Sequence, residues 1–151
     1  MILRRAEAAD LPDIIGMALL FHAESPVHGW LEFDPSRVRE LVLAAIDDPD
    51  WLPLVVYADD ELIGMAMMIA VSTFFGNDIE VCDLIFYVDH SRRGSKAALA
   101  MMAHIRAWAK QEKGALRLTI TPNTGINQDQ AVSFFEKCGM QRQGTVLSQR
   151  L

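Results

Sequence analysis

The sequence has few cysteines and no apolar segment long enough to cross a bilayer. Its two cysteines, Cys82 and Cys138, lie far apart and outside any metal-ligand spacing. Two thiols in 151 residues exclude a disulfide framework and indicate a reducing compartment. The arginines near the first residue are not followed by the apolar region of a signal peptide. We therefore expect a single cytoplasmic domain, residues 1–151, without membrane contact or a metal site.

The chain also lacks an excess of positive charge and the two common glycine-rich nucleotide motifs. A net charge of −6 argues against a general nucleic-acid binder. Lys96 is not preceded by the glycines of a P-loop, and no G-x-G-x-x-G is present. Nucleotide hydrolysis by a P-loop domain and dinucleotide binding are both excluded. What the chain does have is 51% hydrophobic residues, enough for a sizeable core.

The spacing of apolar residues and the positions of turn residues predict ten secondary-structure elements. Helical spacing follows Asp10 until Ser25–Pro26, and a second helix begins at Asp34–Pro35. Asp59–Asp60 is placed as a hairpin turn. The predicted elements are a strand at 2–5, the two helices, strands at 51–58, 61–71 and 79–88, a helix at 95–112, a strand at 117–121, a helix at 129–138 and a strand at 145–148. This order, β-α-α-β-β-β-α-β-α-β, predicts the α/β (α+β) class, with a mixed, mostly antiparallel central sheet flanked by helices.

The segment VDHSRRGSKAALAMM, residues 88–102, joins a strand to a helix through a basic turn that contains one glycine. Free N–H groups at a helix start, together with the helix dipole, form an anion site. Gly94 allows close approach of the backbone to an anion, or a positive φ. Arg92, Arg93 and Lys96 supply positive charge. The segment fits either a phosphate site or a solvated helix cap, and its residues alone leave both interpretations open.

The element order and three motifs resemble the GNAT superfamily of acetyl-CoA-dependent N-acetyltransferases, and the resemblance spans nearly the whole chain. Residues 93–98, RGSKAA, are similar to the signature [RQ]-x-x-G-x-[GA], although Lys96 stands where glycine is usual. AVSFFEKCGM, residues 131–140, is similar to the family's A-x-x-[LF]-Y-E-K-x-G-F, and ILRRAEAADL to its first strand and helix start. The R-G-S-x-A-A form, with the FHAES segment, also looks like compact members carried by bacteriophages.

The resemblance implies that coenzyme A, as acetyl-CoA, binds at the basic turn. Its pantetheine arm would pair with a splayed, bulged strand end near Tyr87 and Val88. Lys96 either adds a phosphate contact or crowds the backbone where glycine gave clearance, and its flexible stem favours the contact. The expected pyrophosphate-binding residues are Arg92, Arg93, Gly94, Ser95, Lys96, Ala97 and Ala98.

Acetyl transfer to an amine requires a base, and two carboxylates precede the turn. Some family members carry a glutamate at the position that Glu80 occupies relative to the arginine–glycine pair. Asp83 lies in an apolar run, DLIFYV, where an unpaired carboxylate is costly. Each has a structural alternative: Asp83 caps a turn or pairs with an arginine, and Glu80 faces solvent.

The clearest departure from the family is Phe135, which stands where the resemblance implies a tyrosine acid. It has no hydroxyl, so we expect it to pack against the thioester end of the cofactor. Either the thiolate leaves unaided, another group protonates it, or turnover is lost. Two functions follow: an N-acetyltransferase that transfers acetyl directly to a primary amine, or a catalytically weak or inactive CoA-binding or regulatory module.

The resemblance places the acceptor at the break between the first two helices and at a hairpin loop, residues 74–78. Glu24 could hold a cationic substrate. His22 and His28 either contact the acceptor or are only surface or partly packed imidazoles. The expected acceptor is a small-molecule or peptide amine. The expected terminal strand and the apolar content are compatible with a homodimer. The candidate acceptor residues are His22, Glu24, His28 and Trp30.

Overall fold

The computed structural model describes residues 1–151 and contains one five-stranded sheet with helices on its faces. The strands lie side by side in chain order, from β1 to β5. The strands are β1 (Ile2–Arg5), β2 (Trp51–Ala58), β3 (Glu61–Ser72), β4 (Ile79–Val88) and β5 (Arg117–Thr119). The helices are α1 (Leu11–Glu24), α2 (Pro35–Asp47), α3 (Ala97–Ala107) and α4 (Gln128–Lys137).

The sheet is antiparallel except at one edge, which confirms the predicted fold class. β1 to β4 pair antiparallel with their neighbours, and β5 pairs parallel with β4. The β2–β3 connection is the predicted hairpin, with Asp59 and Asp60 at φ values of 52° and 63°. Positive φ at both central turn residues is the geometry that matches the twist of two-residue hairpins.

The first two helices begin where the sequence places them, although one cap differs. Asp34 caps α2 by accepting the Ser36 N–H at 2.8 Å. Asp10 precedes α1 but bonds no helix N–H group; it is buried and pairs with the Arg4 guanidinium at 2.6 and 2.8 Å. The same carboxylate accepts the Glu7 N–H. It therefore fastens β1 to the start of α1.

Two apolar clusters cover the two faces of the sheet. On one face α1 and α2 pack on alternate residues of β2 and β3, including Val55, Met65 and Met67. On the other face α3 packs Met101 and Ile105 on the remaining alternate residues. This alternation follows the two-residue period of a strand, so the central strands are buried on both sides.

β4 contains a bulge that changes which face its side chains occupy. Met67 pairs with Ile85 and Met68 with Asp83, so Leu84 is the extra residue. Val81 therefore packs on the α3 face and Tyr87 on the α1 face, although both are odd-numbered. Pairing with β5 stops at Cys82, which leaves residues 83–88 without a strand on that side. The bulge lies at Leu84, three residues before the strand end near Tyr87 and Val88 where the resemblance implied one, and the edge of β4 is open from residue 83 onward.

One predicted element is absent from the structure, and two others differ from it by two residues at one end. The strand expected at 145–148 does not form: residues 140–151 contain no regular structure, and Leu147 is 90% exposed. Alternation without a partner strand is not enough to hold a strand. β5 is shorter than expected, ending at Thr119. The third helix starts two residues later, at Ala97, and its last turn, Trp108–Glu112, is π-helical.

Candidate active site

The turn between β4 and α3 has the conformation of a helix-start anion site. After β4, a short 3₁₀ turn covers His90–Arg92, and the Asp89 carboxylate accepts the Ser91 N–H at 2.8 Å. Gly94 follows with φ of +85°. A side chain at Gly94 would meet no atom within 4 Å, so the backbone conformation rather than crowding requires glycine here.

Several N–H groups of this turn have no acceptor within the protein. Ser95 N–H bonds the Arg92 carbonyl at 3.2 Å, and Ala97 N–H bonds the Ser95 hydroxyl at 3.3 Å. The N–H groups of Gly94, Lys96 and Ala98 make no such bond. Three free donors at the positive end of an 11-residue helix can hold a phosphate.

The cationic side chains of the turn divide into two groups. The Arg92 guanidinium donates to Glu61 at 2.8 Å, and the Arg93 guanidinium donates to both carboxylate oxygens of Glu24 at 2.5 and 2.6 Å. Lys96 is exposed and has no carboxylate partner. The charge that remains available to a phosphate is therefore that of Lys96.

Glu24, an expected acceptor-binding residue, lies in this ion pair instead of facing a cavity. Its second partner is the Tyr87 hydroxyl, which donates to it at 2.7 Å. The bonds from Arg93 hold the pKa of Glu24 below its ordinary value, despite partial burial. Burial and the adjacent carboxylate raise the pKa of Tyr87, so its phenol stays protonated.

A cavity of about 260 Å³ lies beside the open edge of β4. It occupies the space between that edge and the segment after β5, where the two parallel strands diverge. Three of the residues predicted from sequence meet there: Asp83, His28 and Phe135. The full lining is Phe21, His28, Asp83, Leu84, Ile85, Phe86, Ile120, Thr121, Pro122, Asn123, Thr124, Ala131 and Phe135.

Asp83 is the one carboxylate in the lining of this cavity. It has no arginine partner; the Thr121 N–H donates to it at 2.8 Å. Burial raises the pKa of Asp83 above its ordinary value, and the bond from Thr121 opposes that effect only in part. A carboxylate with a raised pKa in a largely apolar cavity has the properties of a general base.

Glu80, the other candidate base, does not line the cavity. It lies where β4 and β5 still pair, directly opposite Arg117. The Arg117 guanidinium donates to it at 2.5 and 2.7 Å. This geometry is that of a cross-strand ion pair at the sheet edge.

The backbone of the open edge supplies further donors. Asp89 N–H bonds Ile63 on the β3 side. Because N–H groups of a strand alternate in direction, those of Phe86 and Val88 point to the open side. The Val88 carbonyl on this side accepts the Arg93 Nε–H at 3.3 Å. The Val88 carbonyl is therefore occupied, and the Phe86 N–H has no partner strand on the open side.

Phe135 is buried at the far wall of the cavity. Its ring packs edge-on against Phe86, with centroids 5.4 Å apart, and against Phe134 at 5.1 Å. These contacts fix α4 against the open half of β4. No tyrosine hydroxyl lies in the lining.

The segment after α1 brings His28 to the cavity. The Ser25 hydroxyl donates to the Thr124 carbonyl at 2.5 Å and accepts the His28 N–H at 3.1 Å. Gly29 packs so closely that a Cβ there would lie 2.7 Å from the Ser25 carbonyl oxygen. His28 stacks at a tilt near Phe21, with centroids 5.9 Å apart.

The remaining acceptor candidates lie outside the cavity lining. His22 Nε2 bonds the Leu31 carbonyl at 2.8 Å. Trp30 is half exposed and lies under the Arg150 guanidinium, 4.4 Å from its ring centroid. In the hairpin loop 74–78, Phe74 and Phe75 are almost fully exposed.

A polar segment that was not predicted from the sequence closes the cavity: Thr121, Asn123 and Thr124. A signal for it was present, since T-P-N-T follows an alternating strand directly. Ligands in open α/β sheets commonly bind beyond the carboxyl ends of neighbouring parallel strands. β4 and β5 are such a pair.

A family model identifies the chain. The acetyltransferase (GNAT) family matches residues 17–140, which is most of the sequence. The chain therefore belongs to the GNAT acetyltransferase family, as the motifs predicted, and is an acyltransferase by class. A search of curated proteins gave no match.

Solved structures share the fold over their whole length at low sequence identity. A transcriptional regulator from Bacillus halodurans superposes with a TM-score of 0.81 and 16% identity, covering 99% of each chain. An aminoglycoside antibiotic 6'-N-acetyltransferase from Acinetobacter haemolyticus gives 0.76 and 15%, covering 100% of this chain and 99% of that one. A ribosomal-protein-alanine N-acetyltransferase from Brucella melitensis gives 0.71 and 14%, with both chains fully covered. These similarities show a common fold. None of the helices has the length and apolar character needed to span a membrane.

Proposed function

We propose that the protein transfers an acetyl group from acetyl-CoA directly to a primary amine, without an acyl-enzyme. The observation that supports this most is the placement of Asp83, a partly buried carboxylate in a cavity at the open edge of β4. The anion-binding turn lies at the end of the same strand. A thioester held along that edge would place its acetyl group near Asp83.

The turn fits the diphosphate of coenzyme A. The free N–H groups of Gly94, Lys96 and Ala98, at a helix start, are the donor set that a phosphate requires. Lys96, which replaces the usual glycine, is exposed, so its side chain does not block these donors. We assign it the direct phosphate contact. The arginines act mainly through their backbone positions.

The residues of the cavity have separate roles in the proposed reaction. Bound acetyl-CoA supplies an activated acetyl thioester. Asp83 accepts the proton that the acceptor ammonium must lose before its nitrogen forms the new C–N bond. The Phe86 N–H is positioned to donate to the carbonyl oxygen as charge develops there. The C–S bond breaks and the thiolate leaves without a tyrosine acid, because Phe135 has no proton to give; the second proton that the nitrogen loses passes through solvent to the thiolate.

One observation favours a second function, that of a CoA-binding or regulatory module without efficient turnover. The cavity contains no hydroxyl at the position of Phe135, where the family pattern has a tyrosine. A thiolate is a tolerable leaving group at neutral pH, since reference thiol pKa values are about 8.5. We therefore rank the enzyme first.

The proposed acceptor is a primary amine of a small molecule or a peptide. Among proteins of this fold, one is named for aminoglycosides and another for ribosomal-protein alanine. Both kinds of acceptor carry a primary amine, so both can be tested as substrates of this protein. Cytoplasmic location and dimerisation stay predictions.

The test measures free thiol released from acetyl-CoA in the presence of three amines: kanamycin, spermidine and a peptide with N-terminal alanine. Amine-dependent release that is lost in Asp83→Asn and retained in Glu80→Gln supports the enzyme and its base. Micromolar binding of CoA with no release from any amine supports the module. Absence of CoA binding contradicts both functions.

A further inference from the structure

We propose that the ion pair between Arg93 and Glu24 positions the acceptor-side segment, residues 25–31, and that the Arg93 guanidinium is not a phosphate ligand. This inference deepens the proposed function and rests on it for the meaning of the acceptor side. Arg93 is then a positioning residue. Its main chain belongs to the phosphate turn and its side chain to the opposite end of the site.

The guanidinium of Arg93 is committed to partners within the protein. It donates to both oxygens of Glu24 at 2.5 and 2.6 Å and to the Val88 carbonyl at 3.3 Å. It also lies over the Tyr87 ring, 5.6 Å from the centroid. Three of its five N–H groups are used in a bidentate geometry that lysine cannot reproduce.

Moving Arg93 to a phosphate would leave Glu24 without its main partner. The Glu24 side chain is 26% exposed and that of Arg93 is 27% exposed, so both charges are largely removed from water. Separating a pair of this kind exposes one carboxylate to an incomplete hydration shell, which is costly. Lys96, by contrast, has no partner to give up.

The pair acts on the acceptor side because Glu24 is the last residue of α1. The segment 25–31 begins at the next residue and carries His28 into the cavity. Its other anchor is the bond from the Ser25 hydroxyl to the Thr124 carbonyl. Glu24 therefore connects this segment to the phosphate turn across 69 residues of sequence, and Ser25 connects it to the segment after β5.

The experiment combines amide hydrogen exchange with calorimetric titration of coenzyme A. The variants are Glu24→Gln, Arg93→Gln and the double variant. Arg142→Gln is the control, because it removes an exposed Arg–Glu pair, with Glu136 at 2.8 Å, in which neither residue belongs to the segment 25–31 or bonds to it. Lys96→Gln tests the phosphate contact.

We expect exchange in residues 25–31 to rise about tenfold in either single variant, the factor that corresponds to about 1.4 kcal/mol. The double variant should show the same exchange as each single variant, since all three remove the same ion pair between Arg93 and Glu24. Affinity for CoA should stay within about twofold in these variants and fall about tenfold in Lys96→Gln, for which the salt dependence of binding should also weaken. Arg142→Gln should change neither quantity.

Two results would overturn the inference. One is a tenfold loss of CoA affinity in Arg93→Gln, which makes the guanidinium a phosphate ligand. The other is unchanged exchange in residues 25–31 in Glu24→Gln, a variant that keeps the shape of the side chain. The exchange measurement needs no turnover and no cofactor, so failure of the proposed function leaves it valid. Where an amine of the panel is acetylated, its KM should rise more than kcat falls.

Discussion

Replacing Asp83 by asparagine removes a proton acceptor while keeping its shape and its hydrogen bond. The Thr121 N–H can still donate to an amide oxygen at the same 2.8 Å position. Loss of a positioned general base costs about 10²- to 10⁴-fold in rate, or about 3–5 kcal/mol in the activation barrier. We expect amine-dependent thiol release to fall by that factor.

The same substitution should not destabilise the fold at neutral pH. Burial raises the folded-state pKa of Asp83 above its unfolded value. Such a group contributes its full stability below the unfolded pKa and loses that contribution as the pH rises through the folded pKa. Asparagine does not ionise. The melting temperature of Asp83→Asn should therefore equal or exceed that of the wild type at pH 7, and the difference should shrink below pH 4.

Two assays decide the matter. The first is initial-rate thiol release with the best amine of the panel, and the second is thermal unfolding between pH 3 and pH 8. Glu80→Gln is the control, because it removes a carboxylate of the same strand from outside the cavity. A variant Asp83→Asn with an unchanged rate would refute the assignment of the base. Lost activity accompanied by a lower melting temperature at pH 7 would show that Asp83 has a structural role.

Three further substitutions test other parts of the site. Gly94→Val forces a β-branched residue into φ of +85°, at a cost of about 1–2 kcal/mol. The affinity for CoA, measured by calorimetry, should fall at least tenfold. The control Gly76→Val, in an open loop, should leave that affinity unchanged. Phe135→Tyr should not lower the rate of thiol release, and a tenfold loss would show that the ring acts by packing alone. Asp10→Asn removes the pair with Arg4. In the wild type that pair lowers the pKa of Asp10 from 3.8 to about 2, so the free energy of unfolding of the variant at pH 7 should be lower by about 2 kcal/mol. Because that pKa is depressed, the wild type should lose this advantage as the pH falls from about 4 to about 2, and an advantage that persists at pH 2 in chemical denaturation would contradict the assignment.

The fold could be predicted because local signals agreed with tertiary structure along most of the chain. Asp59–Asp60 formed the expected hairpin, and the strands expected at 51–58 and 61–71 are β2 and β3. The expected strand at 145–148 failed for a reason that local sequence does not contain. A strand needs a partner, and residues after Met140 have none in this fold.

The candidate site was predictable in its parts but not in its connections. Gly94 and the free amides follow from a strand that enters a helix through a glycine turn. The direction of the Arg93 side chain does not, because its partner Glu24 lies 69 residues away in sequence. The bulge at Leu84, which sets the face of every later β4 residue, leaves no mark in the apolar pattern IEVCDLIFYV.

The most direct test of the account is a crystal structure with coenzyme A bound. We expect diphosphate oxygens within hydrogen-bond distance of the main-chain N–H groups of Gly94, Lys96 and Ala98, and the thiol end of the pantetheine chain directed along β4 into the Asp83 cavity. A nucleotide bound elsewhere, or a pantetheine chain directed away from that cavity, would contradict it.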